Sequence, residues 1–234
     1  EPAAEAIVRE QLACFDRESV GWPPRPITEH ASARRAELVT PLLWCLLLLA
    51  AFWAQGRWPA LTDAGLLDSQ ALFRGGEWWR PVTALFLHAD LGHLVSNALS
   101  GIFVFSAVLT TIGRKRGWLL IASASVAGNL MAAALNLPGP YRSLGASTAV
   151  FAALGLLTGR SIRVVLRADH PYRWRTLFVP LAAGLTVLAL YGAGGQHVDV
   201  IAHVTGFIAG TVLGFLAAAN RLFPSATNKE AEPD

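Results

Sequence analysis

The chain has 234 residues, of which 53% are hydrophobic and only 15% charged, and its mean hydropathy is +0.44. A soluble domain carries about 25% charged residues, so this composition excludes an ordinary soluble globular protein and indicates a polytopic membrane protein. The isoelectric point of about 9.2 does not indicate a nucleic-acid partner, because the basic residues lie in short connections between apolar runs, as membrane topology produces.

The first 37 residues are mostly polar, and we expect no cleavable signal sequence, because the first apolar run begins only after them. Val8, Leu12 and Phe15 form a weak amphipathic pattern that precedes the segment GWPPRP. We interpret residues 1–37 as a cytoplasmic leader, and its pattern is compatible with a short helix at the membrane surface.

Six apolar runs follow, and we expect each of them to cross the membrane as a helix. Several runs, the fourth above all, are shorter than the roughly 20 residues that span a bilayer, so we expect neighbouring helices to shield their ends. The runs are Leu38–Ala54, Leu91–Thr111, Trp118–Leu137, Leu144–Thr158, Leu177–Tyr191 and Val200–Ala219. The predicted fold is therefore all-α, with a six-helix membrane domain over residues 38–220 and a polar cytoplasmic tail over residues 221–234.

Basic residues orient this bundle. The leader, the connections after the second and fourth runs, and the tail hold Arg34, Arg35, Arg114, Lys115, Arg116, Arg160, Arg163, Arg167, Arg173, Arg175, Arg221 and Lys229. The opposite connections hold only Arg57, Arg74, Arg80 and Arg142. The positive-inside rule then predicts cytoplasmic N- and C-termini, and the second, fourth and sixth runs enter the membrane from its outer face.

Ser147 lies near the start of the fourth run. A serine in a membrane helix usually packs at an interface or hydrogen bonds to its own backbone, so alone it is weak evidence for catalysis. Gly145 and Ala146 permit close backbone approach, and a nucleophile at a helix N-terminus has backbone N–H groups nearby that can bind an oxyanion. Phe151 follows four residues later on the same face.

His203 is the natural partner for such a serine. A histidine inside the membrane is energetically unfavourable and usually functional, and a serine hydroxyl needs a base to become a nucleophile. Gly206, Gly210 and Gly214 share its helix face and allow a neighbouring helix to approach closely. The alternative is a neutral imidazole that only hydrogen bonds within the bundle. Asp199, one turn earlier, either orients the ring or is a solvent-facing helix start.

His93 and Asn97 are four residues apart on the second run and so share a helix face. Their side chains can stabilise the negative oxygen of a tetrahedral intermediate; the alternative is a pair of helix-end residues satisfied by loop carbonyls. His88 more readily holds the preceding loop by hydrogen bonds. Like Ser147 and His203, the pair lies within about two turns of the predicted outer end, and this shared depth is our main indication of a site.

These motifs resemble those of the rhomboid family of intramembrane serine proteases over about residues 40–220. The resemblance depends on Trp79-Arg80, on His93-x-x-x-Asn97, on the GxSx stretch from Gly145 to Thr148, and on Ala202-His203-x-x-Gly206-x-x-x-Gly210. It implies six helices around a water-accessible cavity that opens outward, with Ser147 as nucleophile and His203 as general base. It further implies an oxyanion hole made by the His93 and Asn97 side chains and the Ser147 backbone N–H.

The resemblance also implies that Trp79 and Arg80 belong to a loop resting in the outer leaflet. The fifth run, which Pro180 and Gly184 can loosen, would then border the entry for substrate helices. Two residues depart from the family pattern. Thr148 replaces the usual glycine after the nucleophile and restricts the backbone, although we expect activity to survive; Phe151 stands where relatives often have tyrosine, which keeps the ring contact but loses the hydroxyl.

We therefore expect a serine endopeptidase that cleaves transmembrane protein substrates near the outer face, without cofactor or metal, in a lipid bilayer. The composition favours a bacterial inner membrane. One alternative is a catalytically inactive relative that binds membrane proteins, although such proteins typically lack the serine or the histidine. Another is a transporter or metal-ion carrier, but the sequence has no HExxH motif, intramembrane carboxylate pair or evident inverted repeat. Its ligands would be His88, His93, His197, Asp199 and His203.

Overall fold

The computed structural model describes residues 2–18, 36–166, 178, 179, 182 and 199–219. The chain divides into two units, Glu1–Arg35 and Ala36–Asp234. The described part of the first unit is one helix, α1 (Pro2–Glu18), in which an Arg9–Glu5 ion pair spans one turn. Its apolar side chains, Ile7, Val8, Leu12 and Phe15, are exposed within that unit.

The second unit contains five helices long and apolar enough to cross a membrane. They are α2 (Val39–Arg57), α6 (Leu91–Ile112), α7 (Arg114–Leu135), α8 (Ser147–Val165) and α9 (Val200–Ala219). These helices match the first four predicted runs and the sixth, so the prediction of an all-α membrane bundle is confirmed. The fifth predicted run, Leu177–Tyr191, lies outside the described residues except at three positions.

The connection after the second run differs from the predicted loop. Arg114, Lys115 and Arg116 form the exposed first turn of α7, and Gly113 alone separates that helix from α6. The reason is the backbone of Gly113, whose φ of +98° reverses the chain within a single residue. Likewise α8 continues past the predicted end at Thr158 to include basic residues that we had placed in a connection.

The helix α8 is the most enclosed of the five. Within its most apolar segment 61% of the residues are buried, against 22% for α2, because α8 packs against α6, α7 and α9. Side chains of α6 and α8, among them Phe105, Val108, Val150 and Leu156, form the main hydrophobic core. The fourth run looked short only because its end was placed too early: α8 has 19 residues, and neighbouring helices cover most of its surface.

Glycines bring α8 and α9 into backbone contact. A Cβ on Gly206 would lie 2.6 Å from the Thr148 carbonyl oxygen, and a Cβ on Gly210 or Gly214 would lie 2.8 Å from backbone carbon atoms of Ala152 or Leu156. The partners advance by four residues on both helices at each step. The two helices therefore run parallel and in register, and both enter from the side that carries the candidate residues.

A compact segment of short elements, here called the α2–α6 segment, joins α2 to α6. It comprises α3 (Ala60–Gly65), β1 (Leu67–Asp68), α4 (Ser69–Phe73), α5 (Arg80–Thr83) and a 3₁₀ turn (Ala84–Phe86). The strand β1 pairs antiparallel with β2 (Arg142–Ser143), which lies just before α8. This two-stranded sheet ties the segment to the chain that leads into the candidate site.

Trp79 and Arg80 stabilise this segment by donating hydrogen bonds to its backbone carbonyls. The Arg80 guanidinium is buried, donates to the carbonyls of Asp63 and Leu66 at 2.9 and 2.7 Å, and forms an ion pair with Glu77 at 2.6 Å. The Trp79 indole donates to the Ala64 carbonyl at 3.1 Å, while Trp79 itself is 53% exposed. The arginine therefore satisfies carbonyls in the segment, and the tryptophan presents an apolar surface outward. Its place in the outer leaflet remains a prediction.

Candidate functional site

Ser147 is the first residue of α8 and is only 5% exposed. The turn before it depends on Gly145, whose φ is +135° and whose N–H donates to the Ala84 carbonyl at 2.9 Å. A Cβ on Gly145 would lie 2.7 Å from Cε1 and 2.8 Å from Nε2 of His93. Glycine here both makes the turn and lets the His93 ring lie against the backbone two residues before Ser147. The N-cap residue, Ala146, supplies no side-chain hydrogen bond to α8.

His93 and Asn97 project from the first two turns of α6. Asp90 caps this helix by accepting a hydrogen bond from the His93 N–H at 2.8 Å. A Cβ on Gly145 would lie 3.7 Å from Asn97 Nδ2, so both side chains flank the same glycine. Asn97 is fully buried, and its amide makes no hydrogen bond of good geometry to any described residue. An amide in this state can bind a ligand at no cost in broken protein hydrogen bonds.

His203 is the fourth residue of α9 and is almost fully buried. Its ring stacks on Phe151, with ring centroids 4.5 Å apart and planes inclined by 20°. Phe151 lies one turn after Ser147 on the same face of α8. His203 is also near enough to His93 for the two rings to interact electrostatically. The imidazole of α9 is thus held against the first turns of α8, where the serine lies.

Thr148 fits between two glycines on neighbouring helices. Its Cγ2 methyl lies 3.0 Å from where a Cβ on Gly206 of α9 would be, and 3.1 Å from where a Cβ on Gly128 of α7 would be. Gly206 is three residues after His203, and Thr148 directly follows Ser147. The departure from the family pattern at Thr148 is therefore accommodated by the absence of side chains on both facing helices.

His88 lies beside His93, in a T-shaped contact with ring centroids 5.2 Å apart. Its backbone is held by Gln55 at the end of α2: the Gln55 side chain accepts from the His88 N–H at 3.0 Å and donates to the His88 carbonyl at 3.2 Å. The same amide donates to Thr62 Oγ1 at 3.0 Å. The loop at His88 is therefore held through backbone hydrogen bonds to Gln55.

Burial, and to a smaller extent a charge on His93, lower the pKa of the His88 imidazole to about 4, although the Phe86 carbonyl and the Asp90 carboxylate oppose the shift in part. His88 is therefore neutral at physiological pH. A neutral ring beside His93 adds no competing positive charge to this side of the site.

Asp199 directly precedes α9 and caps its first turn, as the second alternative drawn from the sequence expected, but its side chain is half-buried rather than solvent-facing. One carboxylate oxygen accepts from the Ala202 N–H at 2.9 Å, and the other accepts a hydrogen bond from the Tyr141 hydroxyl. Asp199 also lies near enough to His203 to interact electrostatically with its ring. Its carboxylate thus serves both as a helix cap and as an acceptor for the loop that precedes Ser147.

Three residues around the site were missed by the sequence interpretation: Gln55, Gly128 and Tyr141. A lone polar amide near the end of an apolar run was a usable signal for Gln55. Gly128 and Tyr141 carried no such signal in the sequence, because each contacts a partner far away along the chain.

Among the described residues no three His, Cys, Asp or Glu side chains form a group able to hold a metal ion. His197, named in the transporter alternative, lies outside the described residues.

Comparison with known proteins gives one family. Residues 75–220 match the model of the rhomboid domain. The chain is 32% identical over 157 residues to RHOMBOID-like protein 1 of Arabidopsis thaliana, 30% over 156 residues to rhomboid protease GluP of Bacillus subtilis, and 28% over 147 residues to rhomboid-like protease 2 of Toxoplasma gondii. These alignments cover 67%, 67% and 61% of this chain but only 39%, 28% and 49% of the relatives. The chain therefore matches less than half the length of each of these three proteins.

Proposed function

Because the chain belongs to the rhomboid family, we propose that it is an intramembrane serine endopeptidase that hydrolyses peptide bonds in or near transmembrane segments of other membrane proteins. It is an integral membrane protein, with five described helices long and apolar enough to cross a bilayer. The observation that carries the proposal is the convergence of three helix starts. Ser147 begins α8, the His93–Asn97 pair on α6 flanks Gly145, and His203 on α9 stacks against α8.

In this mechanism His203 takes the proton from the Ser147 hydroxyl as Oγ attacks the carbonyl carbon of the scissile peptide bond. The C–N bond then breaks, and the imidazolium gives its proton to the leaving nitrogen, so an acyl-enzyme and a free amine result. Water attacks the acyl carbon with His203 again as base, and the second product leaves as a carboxylic acid. The stacked Phe151 ring restricts the imidazole to one plane throughout these steps.

The oxyanion would be stabilised by the side chains of His93 and Asn97 together with the Ser147 backbone N–H. All three belong to groups that lie around the Gly145 turn. The buried Asn97 amide is the strongest support, because it makes no good hydrogen bond to a described residue that a substrate would first have to break. Such fixed donors act most strongly where water is excluded.

A substrate helix must unwind at the site, since the peptide bonds of a regular helix are hydrogen bonded internally. We propose that cleavage occurs close to the outer face, with the termini of this chain in the cytoplasm, because the positive-inside rule assigns the basic residues to that side. A bacterial inner membrane fits the composition best. The partners are thus transmembrane proteins and the surrounding lipid.

The first test is labelling of the detergent-purified protein with a fluorophosphonate probe, which reacts with activated serines. We expect the wild type to be labelled, and Ser147→Ala and His203→Ala each to reduce labelling by at least about 10³-fold. Ser125→Ala is the matched control, since Ser125 is also a buried membrane-helix serine but bonds to its own backbone. Folded wild-type protein that is not labelled would contradict the proposal and favour the inactive, binding-only relative.

A further inference from the structure

The nucleophile and the base reach the site on different segments. Ser147 follows a loop, residues 136–146, whereas His203 lies on α9, far later in sequence. Catalytic geometry must be held to about 0.5 Å. The glycine contacts fix α8 against α9 along the helices, but they begin only at Thr148 and Gly206. The chain before Ser147 therefore needs its own connection to the first turn of α9.

Tyr141 is fixed in the loop by its backbone. Its carbonyl accepts from the Ser69 N–H at 3.0 Å, and its N–H donates to Ser69 Oγ at 3.1 Å. The next two residues form β2, which pairs with β1. The Tyr141 backbone is thus bound to the α2–α6 segment, and only its side chain reaches towards α9.

The Asp199 carboxylate receives that side chain. Its two oxygens accept from the Tyr141 hydroxyl and from the Ala202 N–H, while the His203 N–H donates to the Asp199 carbonyl at 3.1 Å. The residue that bonds to the loop is therefore the residue that caps the turn carrying the imidazole. Because of this, any movement of Tyr141 away from Asp199 also moves the loop before Ser147 away from His203.

The direction of this hydrogen bond is set by its surroundings. Burial and the Asp199 carboxylate both raise the pKa of the Tyr141 phenol above its ordinary value, so the hydroxyl is protonated at neutral pH. Tyr141 is then the donor and Asp199 the acceptor. A hydrogen bond to a charged acceptor is among the stronger ones in proteins.

We propose that Tyr141 is a positioning residue for the reaction, holding the loop that leads into Ser147 against the capped first turn of the His203 helix. This inference rests on the proposed function. Tyr141 touches neither the substrate nor the reacting atoms; it acts through Asp199. Loss of the Tyr141 hydroxyl leaves α8 and α9 in place but lets the distance between the Ser147 hydroxyl and the His203 imidazole vary more widely.

The test measures the maximal rate of fluorophosphonate labelling and the half-saturating probe concentration for four variants. Tyr141→Phe removes the hydroxyl, and Asp199→Ser keeps a helix cap but is too short to reach Tyr141. Asp199→Asn keeps the cap through its amide oxygen and turns its NH2 group to Tyr141, whose hydroxyl oxygen can accept, so the connection is kept with the hydrogen bond reversed. We expect the first two to lower the maximal rate about tenfold with unchanged half-saturation. Asp199→Asn stays near the wild type, and the double variant Tyr141→Phe/Asp199→Ser falls no further than either single change.

Arg142→Gln is the matched control, because Arg142 lies next to Tyr141 but has an exposed side chain of its own, which pairs with the exposed Asp63 and, at 3.4 Å, with the partly buried Asp68. An exposed ion pair contributes little. The inference is overturned if Tyr141→Phe is labelled at the wild-type rate. It is also overturned if the fold-loss of labelling rate in the double variant equals the product of the fold-losses in the two single variants. Should Tyr141→Phe fail to fold, equal rates for the serine and asparagine variants at Asp199 overturn it instead. Undiminished labelling of Ser147→Ala is a different result, since it contradicts the proposed function itself.

Discussion

At the scale of single residues, Thr148 departs from the expected family pattern, and its neighbours make room for it. Glycine is usual after the nucleophile, and threonine in its place adds a methyl group and a hydroxyl. The methyl fits only because Gly128 and Gly206 leave room on the two facing helices. The three residues therefore form a matched set, in which the volume added on α8 is balanced by the volume missing on α7 and α9.

We predict that the methyl of Thr148, rather than its hydroxyl, is what the site needs. Thr148→Val keeps a methyl at Cγ2 and should label at close to the wild-type rate. Thr148→Ser leaves a methyl-sized void and should lower the free energy of unfolding by about 0.5–1.5 kcal/mol and slow labelling several-fold. Labelling rates and unfolding midpoints of the two variants, measured side by side, check this. The reverse order of the two variants would assign the role to the hydroxyl.

At the scale of elements, the parallel pair α8 and α9 determines the relative height of Ser147 and His203. Side chains can adjust by rotation, but these helices meet through backbone atoms at Gly206, Gly210 and Gly214. A backbone contact cannot be relieved without sliding one helix along the other. The register of this pair therefore affects stability and, under the proposed function, activity as well.

Gly210→Ala tests the register. The new Cβ would press on the backbone of Ala152, so we expect the free energy of unfolding to fall by about 1–3 kcal/mol or more and labelling to drop with it. Gly56→Ala on α2 is the control, because no neighbouring atom lies within 4 Å of a Cβ at Gly56; there alanine should be neutral or slightly stabilising. Thermal unfolding in detergent measures both variants. Equal stabilities would refute the backbone contact.

At the scale of the whole molecule, the stability of the fold should depend on pH through His88. The folded-state pKa is about 4, below the ordinary value of 6.5, so the unfolded chain binds the proton more readily. Stability from this residue is then fully present above about pH 6.5 and is lost progressively as the pH falls towards 4. We predict that His88→Gln flattens the fall in unfolding midpoint across this window. An unchanged slope in the variant would show that another group causes the fall.

Much of this molecule was predictable from the sequence. Five of the six apolar runs correspond to described helices, and the family resemblance drawn from four motifs is confirmed by the match of residues 75–220. Helix ends were predicted less well, because a single Gly113 replaced an expected loop. The roles of Ser147, His203, His93 and Asn97 remain predictions, although the structure brings their neighbourhoods together.

The partners of the supporting residues were not predictable, even for Gln55, whose lone polar amide is visible in the sequence, and the physical reason is the same for each. Gln55 bonds to the backbone of His88, Tyr141 bonds to the side chain of Asp199, and Gly128 matters only through the methyl of Thr148. Each acts across a distance in sequence that no local pattern encodes. Periodicity and motif spacing indicate which residues share a face of one helix. The contacts of these three residues depend instead on how separate parts of the chain pack together.

The N-terminus of α8 has no side-chain cap, and this has an electrostatic consequence. Each helix N-terminus carries a dipole equivalent to roughly half a positive charge, and the three helices that meet at the site all begin there. On α6 and α9 a carboxylate, Asp90 or Asp199, caps the first turn and offsets that charge. On α8 no side chain caps it. The field that remains is therefore strongest at Ser147, where the oxyanion would form.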